Sequence, residues 1–372
     1  MREWLDRDEA LGVLGVRPQT LYAYVSRGRI ERRFDPADPR RSLYRGDDIL
    51  ALTSRRARGK RPGSIAESAI AWGEPVITTG VSTVIHGRLI FRGIDAVALV
   101  ERATLEDVAA LLWEQPTSPV FTGSGEEADP FLALAGLIAD ARPSVGRPVV
   151  KLCGDAVVAV GVLAGALGAI GEGPVHVRLA RFWSLGTRGA DLIRRALVLL
   201  ADHELNPSTF AARVAAATGA SIAASLLAGL GTLSGPKHGG AGEAVAALVA
   251  EAAHSGAEVA VARWLVAGHG LPGFGHPLYP HGDPRAAALL ADIAVDPALA
   301  RLADAVAEVT GALPNIDFAL IAAARMLDLP VGAAFRLFAI ARSVGRVAHA
   351  MEQSVSGGLI RPRATYVGAL PN

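Results

Sequence analysis

The feature that most constrains this chain is a succession of Ala-, Leu-, Val- and Gly-rich runs between about residues 105 and 351, each closed by glycine or proline. With 51% apolar and 5% aromatic residues, the chain is poor in the aromatic side chains that favour sheets and rich in good helix formers. A nearly all-α fold is predicted, with helices over 105–113, 131–141, 157–170, 190–203, 207–230, 242–253, 283–294, 298–310, 316–327 and 331–351, preceded by one extended segment over 77–90.

Two uncharged stretches, 156–170 and 214–234, raise the question of a membrane. The first is too short to span, and the second is built of Ala, Gly, Ser and Thr with too few large apolar residues to insert. Both read as buried helices whose small residues allow close crossings in a large core or at a subunit interface. Cys153 is the sole cysteine, which excludes an intrachain disulfide and a cysteine-based metal cluster and fits a reducing cytoplasm. The amino terminus is charged, unlike a secretory signal.

Charge is divided unevenly. Residues 1–63 carry 15 Lys and Arg against 9 Asp and Glu, whereas the remainder carries 22 against 27. That imbalance predicts an acidic partner for the amino end alone. There, Asp6 can cap a helix that turns Ala10, Leu11 and Leu14 inward. Gly15 breaks it, and Arg17-Pro-Gln-Thr20 opens a second helix burying Leu21 and Val25. Ile30 returns to the core, residues 32–45 can form a wing, and Asp47 can cap a third helix over 48–52. This spacing resembles the winged helix-turn-helix of the MerR and excisionase group. The resemblance implies that Gln19, Thr20, Tyr22 and Arg27 face duplex DNA while Arg32, Arg33, Arg40 and Arg41 meet phosphates. The run over 53–63 is cationic and has no apolar period, so it reads as a linker. The domains are therefore a module over 1–53, a basic linker over 54–63 and a helical body over 64–372.

Three breaks in the body gather ionisable groups beside glycine and proline: Ser234-Gly-Pro-Lys-His238-Gly-Gly, Gly273-Phe-Gly-His276-Pro-Leu-Tyr-Pro-His-Gly-Asp283-Pro-Arg285, and Leu313-Pro-Asn-Ile-Asp317-Phe. Alone, such a histidine reads as a solvated turn residue, such an aspartate as a helix cap, and an arginine in an apolar helix as a structural one. Together, in this order, and with Leu337-Phe-Ala-Ile-Ala-Arg342, Ala348-His349 and Leu359-Ile-Arg361-Pro-Arg, they resemble the citrate synthase family from about residue 74 to 368.

The resemblance implies a two-lobed all-α enzyme with a small lobe over 243–335 inserted in a large one. It also implies condensation of acetyl-CoA with oxaloacetate to citrate and CoA, with Asp317 as the base, His238 as hydrogen-bond donor to the thioester carbonyl and His276 polarising the ketone. Arg285, Arg342 and Arg361 match carboxylate-binding positions, and His203 a further substrate-binding one. Arg361 is implied to reach the partner's site in a homodimer. No metal or bound cofactor is implied, CoA entering as thioester substrate. For His86, His176, His254, His269, His281 and Cys153, structural roles are expected.

Two positions depart from the family pattern: Pro277 stands where Arg or Lys is common and Gly242 where Asn is usual, which alters the expected CoA phosphate contacts and leaves Lys237 or arginines elsewhere as substitute cations. The alternatives are 2-methylcitrate synthesis from propionyl-CoA, citryl-CoA lyase-like cleavage and, from another class, a DNA-binding regulator whose synthase body senses a metabolite. One methylene in an acyl pocket is worth only about 1–3 kcal/mol, so few side chains separate citrate from 2-methylcitrate synthesis.

Overall fold

The computed structural model describes residues 4–14, 21, 24–25, 30–35, 41–50, 77–123, 125–364 and 366–368. They fall into two compact units, Met1–Thr78 with Arg363–Asn372, and Thr79–Pro362.

In the first unit, β1 (Trp4–Leu5), α1 (Arg7–Leu14), β2 (Arg32–Phe34) and β3 (Ser42–Arg45) are set out in that order. The strands form an antiparallel sheet of order β1-β3-β2. Asp6 Oδ1 accepts from the Asp8 and Glu9 amides at 2.9 Å, and Glu9 Oε2 accepts from the Asp6 amide at 3.1 Å. This reciprocal cap starts α1 where the sequence places it. Leu5, Ala10, Leu14, Leu21, Ile30, Tyr44 and Ile49 form a small core. The strands over the expected wing are present, but among the described residues the helix that follows them already begins at 46, so Asp47 lies inside it and not at its cap. The Asp48 carboxylate is engaged instead by the Glu31 amide at 2.8 Å. Gln19, Thr20, Tyr22, Arg27, Arg40 and the linker lie outside the described residues.

In the second unit, the expected single extended segment is instead a three-stranded antiparallel sheet of β4 (Ser82–Ile85), β5 (Arg88–Phe91) and β6 (Ile94–Asp95). His86 and Gly87, at φ 51° and 72°, make the tight two-residue turn that reverses the chain. Helices follow: α2 (Ala96–Leu99), α3 (Leu105–Leu112), α4 (Pro130–Ile138), α5 (Val149–Ala166), α6 (Val175–Phe182), α7 (Thr187–Leu200), α8 (Pro207–Ala217), α9 (Ile222–Leu233), α10 (Ala241–Ser255), α11 (Ala257–Val266), α12 (Pro284–Leu290), α13 (Pro297–Thr310), α14 (Ile316–Met326) and α15 (Ala333–Ser356).

Asx-Pro pairs explain several of these starts. Asp129, Asn206, Asp283 and Asp296 each cap a helix whose first residue is proline, where the missing N–H costs nothing and the fixed φ is already helical. The helix expected over 207–230 is two, because Gly219 takes φ 82° and Ser221 caps the second. That expected over 157–170 begins at Val149, directly after Pro148. Helices α2, α6 and α11 are not among those the sequence predicts: all are short, and α6 mixes His and Arg into its apolar face.

Helix α5 has the length and hydropathy of a membrane span, yet 56% of it is buried inside the protein. Its small residues pack against α4, α9 and α15. Helix α15 is the axis of the unit, touching α3, α5, α7, α8, α9 and α14, with Arg342, Ser343, Arg346 and His349 all buried along it. Helices α10, α11, α13 and α14 pack mainly on one another, with α12 against α14.

Candidate active site

The loop over 200–208 carries His203 and is held from two sides. On one side, Arg342 Nε donates to the Leu200 carbonyl at 2.7 Å and the Gly345 amide to that of Ala201 at 3.0 Å. A side chain at Gly345 would meet the Ala201 carbonyl at 2.5 Å and collide with the Asp202 carboxylate. Glycine is what lets α15 come this close. On the other side, the Ser82 hydroxyl of β4 donates to Asp202 and accepts from the Glu204 amide at 3.0 Å, while Glu204 Oε1 accepts from Thr83 Oγ1 at 3.0 Å and the Val84 amide at 2.6 Å. These bonds hold Glu204 at φ 51°, a left-handed conformation that a non-glycine residue keeps only when its surroundings impose it.

Beneath this loop runs a buried polar chain. Arg213 Nη1 is 3.1 Å from His349 Nδ1, and His349 Nε2 is 3.1 Å from Asp202 Oδ2. Because Arg213 can only donate, His349 accepts at Nδ1 and gives its Nε2 proton to Asp202. Burial pushes the Asp202 carboxyl up, but His349, Arg342 and the Ser82 hydroxyl outweigh it and leave the group below the usual carboxylate range.

Around His203 the structure gathers an aromatic and cationic cluster. His203 Nε2 is 2.9 Å from the Tyr279 hydroxyl, and the rings of His203 and His276 meet edge to face with centroids 5.0 Å apart. Burial pushes Tyr279 up to about 12, so it remains a phenol able to donate to His203. Burial, with Arg285 and Arg342 adding to it, holds His203 well below its ordinary value. Burial and Arg285 likewise bring His276 down to about 4. The Leu278 amide donates to His276 Nδ1 at 3.1 Å, which puts the proton of the neutral ring on Nε2.

Asp283 ties this cluster to Asp317. It caps α12 through the Arg285 amide at 3.0 Å, takes the Arg285 guanidinium at 2.9 and 2.8 Å, and accepts the Ile316 amide of α14 at 3.1 Å. One carboxylate thus fixes the starts of two helices and the arginine. Asp317 lies in the first turn of α14 beyond Asn315, whose Oδ1 accepts its amide at 3.0 Å. Burial raises the Asp317 carboxyl, the Arg285 and Arg342 guanidiniums oppose it and Asp283 assists, bringing it to about 6. A carboxylate there is ionised at neutral pH and basic enough to take a proton.

His238 sits in the turn between α9 and α10. Its Nε2 is 2.9 Å from Ser208 Oγ and 3.2 Å from Asn206 Oδ1, and Ser208 Oγ is 2.7 Å from Asn206 Oδ1. The single hydroxyl proton of Ser208 sets the tautomer. In this structure it is directed at Asn206 Oδ1, which makes Nε2 of His238 the donor; turned to His238, it leaves the ring's proton on Nδ1. Burial, then Arg342 and Arg346, hold His238 down to about 3, so the ring is neutral.

The structure therefore brings together His203, His276, Arg285 and, through its field, Asp317. His238 and Arg342 share the Phe338 ring, at 5.9 Å centroid to centroid and 4.7 Å from the guanidinium carbon respectively. Arg361 is not brought in: it is exposed on the segment beyond Gly357 and makes no hydrogen bond to these residues. Sequence reading missed Asn206, Ser208, Tyr279, Asp283 and Arg346. The first and fourth were visible as Asx-Pro helix starts, whereas Ser208 and Arg346 carried no local signal.

The sequence matches the family described as citrate synthase, C-terminal domain, over residues 173–363, and the chain belongs to the citrate synthase family. It is similar to citrate synthase 2 of Bacillus subtilis, 37% identical over 189 residues that make up 48% of this chain and 51% of that protein. It is also similar to the 2-methylcitrate synthase of Mycobacterium tuberculosis, 34% identical over 194 residues, 47% of each chain. The chain spans about half the length of these relatives. Its fold is that of citrate synthase from Thermotoga maritima, with TM-score 0.68 and 25% identity over 81% of this chain and 95% of that one. It also resembles in fold citrate synthase of Thermoplasma acidophilum, described in ternary complex with carboxymethyl coenzyme A and oxaloacetate, with TM-score 0.58 and 22% identity over 80% of this chain and 95% of that one.

Proposed function

We propose that the chain condenses acetyl-CoA with oxaloacetate to give citrate and CoA. The observation that carries this reading is a buried carboxylate, Asp317, in the first turn of α14, raised to about 6 and acted on by the buried Arg285 and Arg342 guanidiniums. Removing a thioester α-proton demands a base and concurrent stabilisation of the enol oxygen. Asp317 takes the methyl proton, and His238, once the Ser208 hydroxyl turns from Asn206 to donate to Nε2, gives a hydrogen bond from Nδ1–H to the thioester carbonyl. The enol carbon bonds to the ketone carbon of oxaloacetate, whose oxygen receives the Nε2 proton of His276. Arg285, Arg342 and His203 hold the carboxylates, guanidinium forks matching their planar geometry. Water then cleaves the citryl thioester, releasing CoA as a free thiol. No bound cofactor takes part.

The resemblance to a 2-methylcitrate synthase supports propionyl-CoA as a second acyl donor. Thiol release from acetyl-CoA and propionyl-CoA, each with oxaloacetate, set beside CoA-dependent citrate cleavage, decides between synthase, methylcitrate synthase and lyase. Silence in all three assays would remove the enzymatic reading in favour of a metabolite-sensing body.

The same reading makes residues 243–335 a small lobe whose closure shields the chemistry from water, supported by the mutual packing of α10, α11, α13 and α14. It also makes the protein a cytoplasmic homodimer in which Arg361 serves the partner's site, supported by exposed Leu132, Val150 and Val158 on α4 and α5. Mixing Arg361→Ala with Asp317→Asn subunits then restores one working site per heterodimer; inactive mixed dimers would place Arg361 elsewhere. Residues 1–53 are a winged helix-turn-helix module for duplex DNA, supported by its net basic charge and exposed Arg32, Arg33 and Arg41. Retention on DNA that weakens steeply with salt and is lost on deleting residues 1–63 tests this.

A further inference from the structure

Among the buried groups that this chemistry does not use, Arg346 stands apart. It is 0% exposed, and its Nε, Nη1 and Nη2 are all without a hydrogen-bond partner. Every other arginine of the site is anchored: Arg285 by Asp283, and Arg342 by the Leu200 carbonyl. Arg346 lies one turn beyond Arg342 on α15, on the same helix face.

The surroundings are shaped for this side chain. A Cβ at Gly229 of α9 would fall 2.6 Å from Arg346 Cδ and 3.0 Å from the Ser208 carbonyl. Glycine at 229 is the space the arginine occupies, and it brings Arg346 beside Ser208, the residue that anchors His238. The counter-charge that acts on Arg346 is Asp202, yet the two are not bonded: Asp202 Oδ2 is taken by Ser82 and His349, and its Oδ1 has no hydrogen-bond partner. A buried guanidinium without partners is strongly unfavourable. Burial and the neighbouring Arg342 bring it down to about 9, so it is still charged at neutral pH.

We propose that Arg346 is a further substrate-binding residue, which together with Arg342 receives a carboxylate of the dianionic oxo acid. The chain leaves this cation unpaired so that the substrate completes it, and the site thereby selects a substrate bearing two negative charges over one bearing a single charge. This inference rests on the condensation reading above. It adds a residue that the sequence motifs do not mark.

Arg346→Met, which keeps the length and removes the charge, tests it in the full-length protein, with Arg346→Lys as the charge-retaining control. Calorimetric titration with oxaloacetate and with pyruvate, steady-state kinetics and thermal melting are measured on each. The expected result for Arg346→Met is a Kd and KM for oxaloacetate raised about 10- to 100-fold, the range for a lost hydrogen bond to a charged group. The change in kcat is smaller, pyruvate is affected less, the ligand-free protein melts at a higher temperature, and Arg346→Lys recovers most of the affinity. Unchanged oxaloacetate affinity in Arg346→Met, or a ligand-free protein that melts lower than the parent, overturns the proposal. Failure of the condensation reading is distinguishable, because it appears as a parent protein that neither binds nor turns over oxaloacetate. Even then the melting comparison tests the premise that the unpaired Arg346 guanidinium costs stability, while the binding role itself is overturned with the parent's silence toward oxaloacetate.

Discussion

The two sides of the site handle buried charge in opposite ways. Around Asp283, each charge is answered within the chain: the carboxylate takes two nitrogens of Arg285 and two backbone amides. Along α15, Arg342 spends one nitrogen on a carbonyl, and Arg346 spends none. The first region is a closed frame that sets positions. The second holds cations that the chain leaves without a bonded carboxylate, which is what the proposed anion receptor requires. Asp317 lies under the influence of both, since Arg285 and Arg342 each draw its carboxyl down against burial.

The largest expected effect removes the group on which both regions act. Asp317→Asn keeps the shape but cannot accept a proton, so kcat should fall about 10²- to 10⁴-fold, while oxaloacetate titration stays close to that of the parent. Near-normal turnover in the purified variant would show that the base lies elsewhere. The second effect breaks the frame. Asp283→Asn strands the buried Arg285 guanidinium, and the loss of one partner from a buried pair costs about 3–5 kcal/mol, readable by denaturant unfolding. If stability is unchanged, the distinction between frame and receptor collapses.

Legibility in the sequence follows the same division. Helix starts written as Asx-Pro, and the residues His238, His276 and Asp317 at their Gly- and Pro-rich breaks, are local signals that one sequence displays. What the sequence hid is long-range. The hairpin of β4 and β5 depends on His86 and Gly87 adopting positive φ, the split between α8 and α9 on Gly219 doing so, and the Ser82–Asp202–His349 chain joins residues over a hundred positions apart. Arg346 resembles any arginine in an amphipathic helix until burial on all sides is seen. The amino-terminal module gave its first helix and wing strands through Asp6 and Ile30, while its second helix falls largely outside the described residues.

The next effect concerns pH and stability. Asp317 is raised from 3.8 to about 6 by burial, so the folded state holds its proton more tightly than the unfolded one. Stability is therefore lost as pH climbs from about 4 to 6, by up to about 3 kcal/mol at roughly 1.4 kcal/mol per unit. His276 and His238 act with the opposite sign: held near 4 and 3 by burial, they contribute stability that is complete above 6.5 and lost as pH falls toward those values. Asp317→Asn isolates the first contribution. Its stability relative to the parent should grow from pH 4 to 6 and then level off, and a difference that stays flat with pH would mean that Asp317 is not buried as a carboxylate.

The smallest effect tests how the receptor side positions its own donor. Ser208 is fully buried and stands between His238 Nε2 and Asn206 Oδ1, so its proton chooses the tautomer of His238. In Ser208→Ala, Asn206 Oδ1 remains 3.2 Å from Nε2 and, being an acceptor only, holds the proton on Nε2. His238 then presents a lone pair from Nδ1 where the thioester oxygen requires a donor. The loss of one neutral hydrogen bond of about 1.5 kcal/mol corresponds to roughly tenfold, and it should fall on kcat while the KM for oxaloacetate is unchanged, since the arginines are untouched. Ser208→Thr, which keeps the hydroxyl, should recover turnover if the buried site admits the extra methyl. A Ser208→Ala enzyme with full kcat would mean that His238 donates from Nε2, and that Asn206, not Ser208, is the residue displaced when the thioester binds.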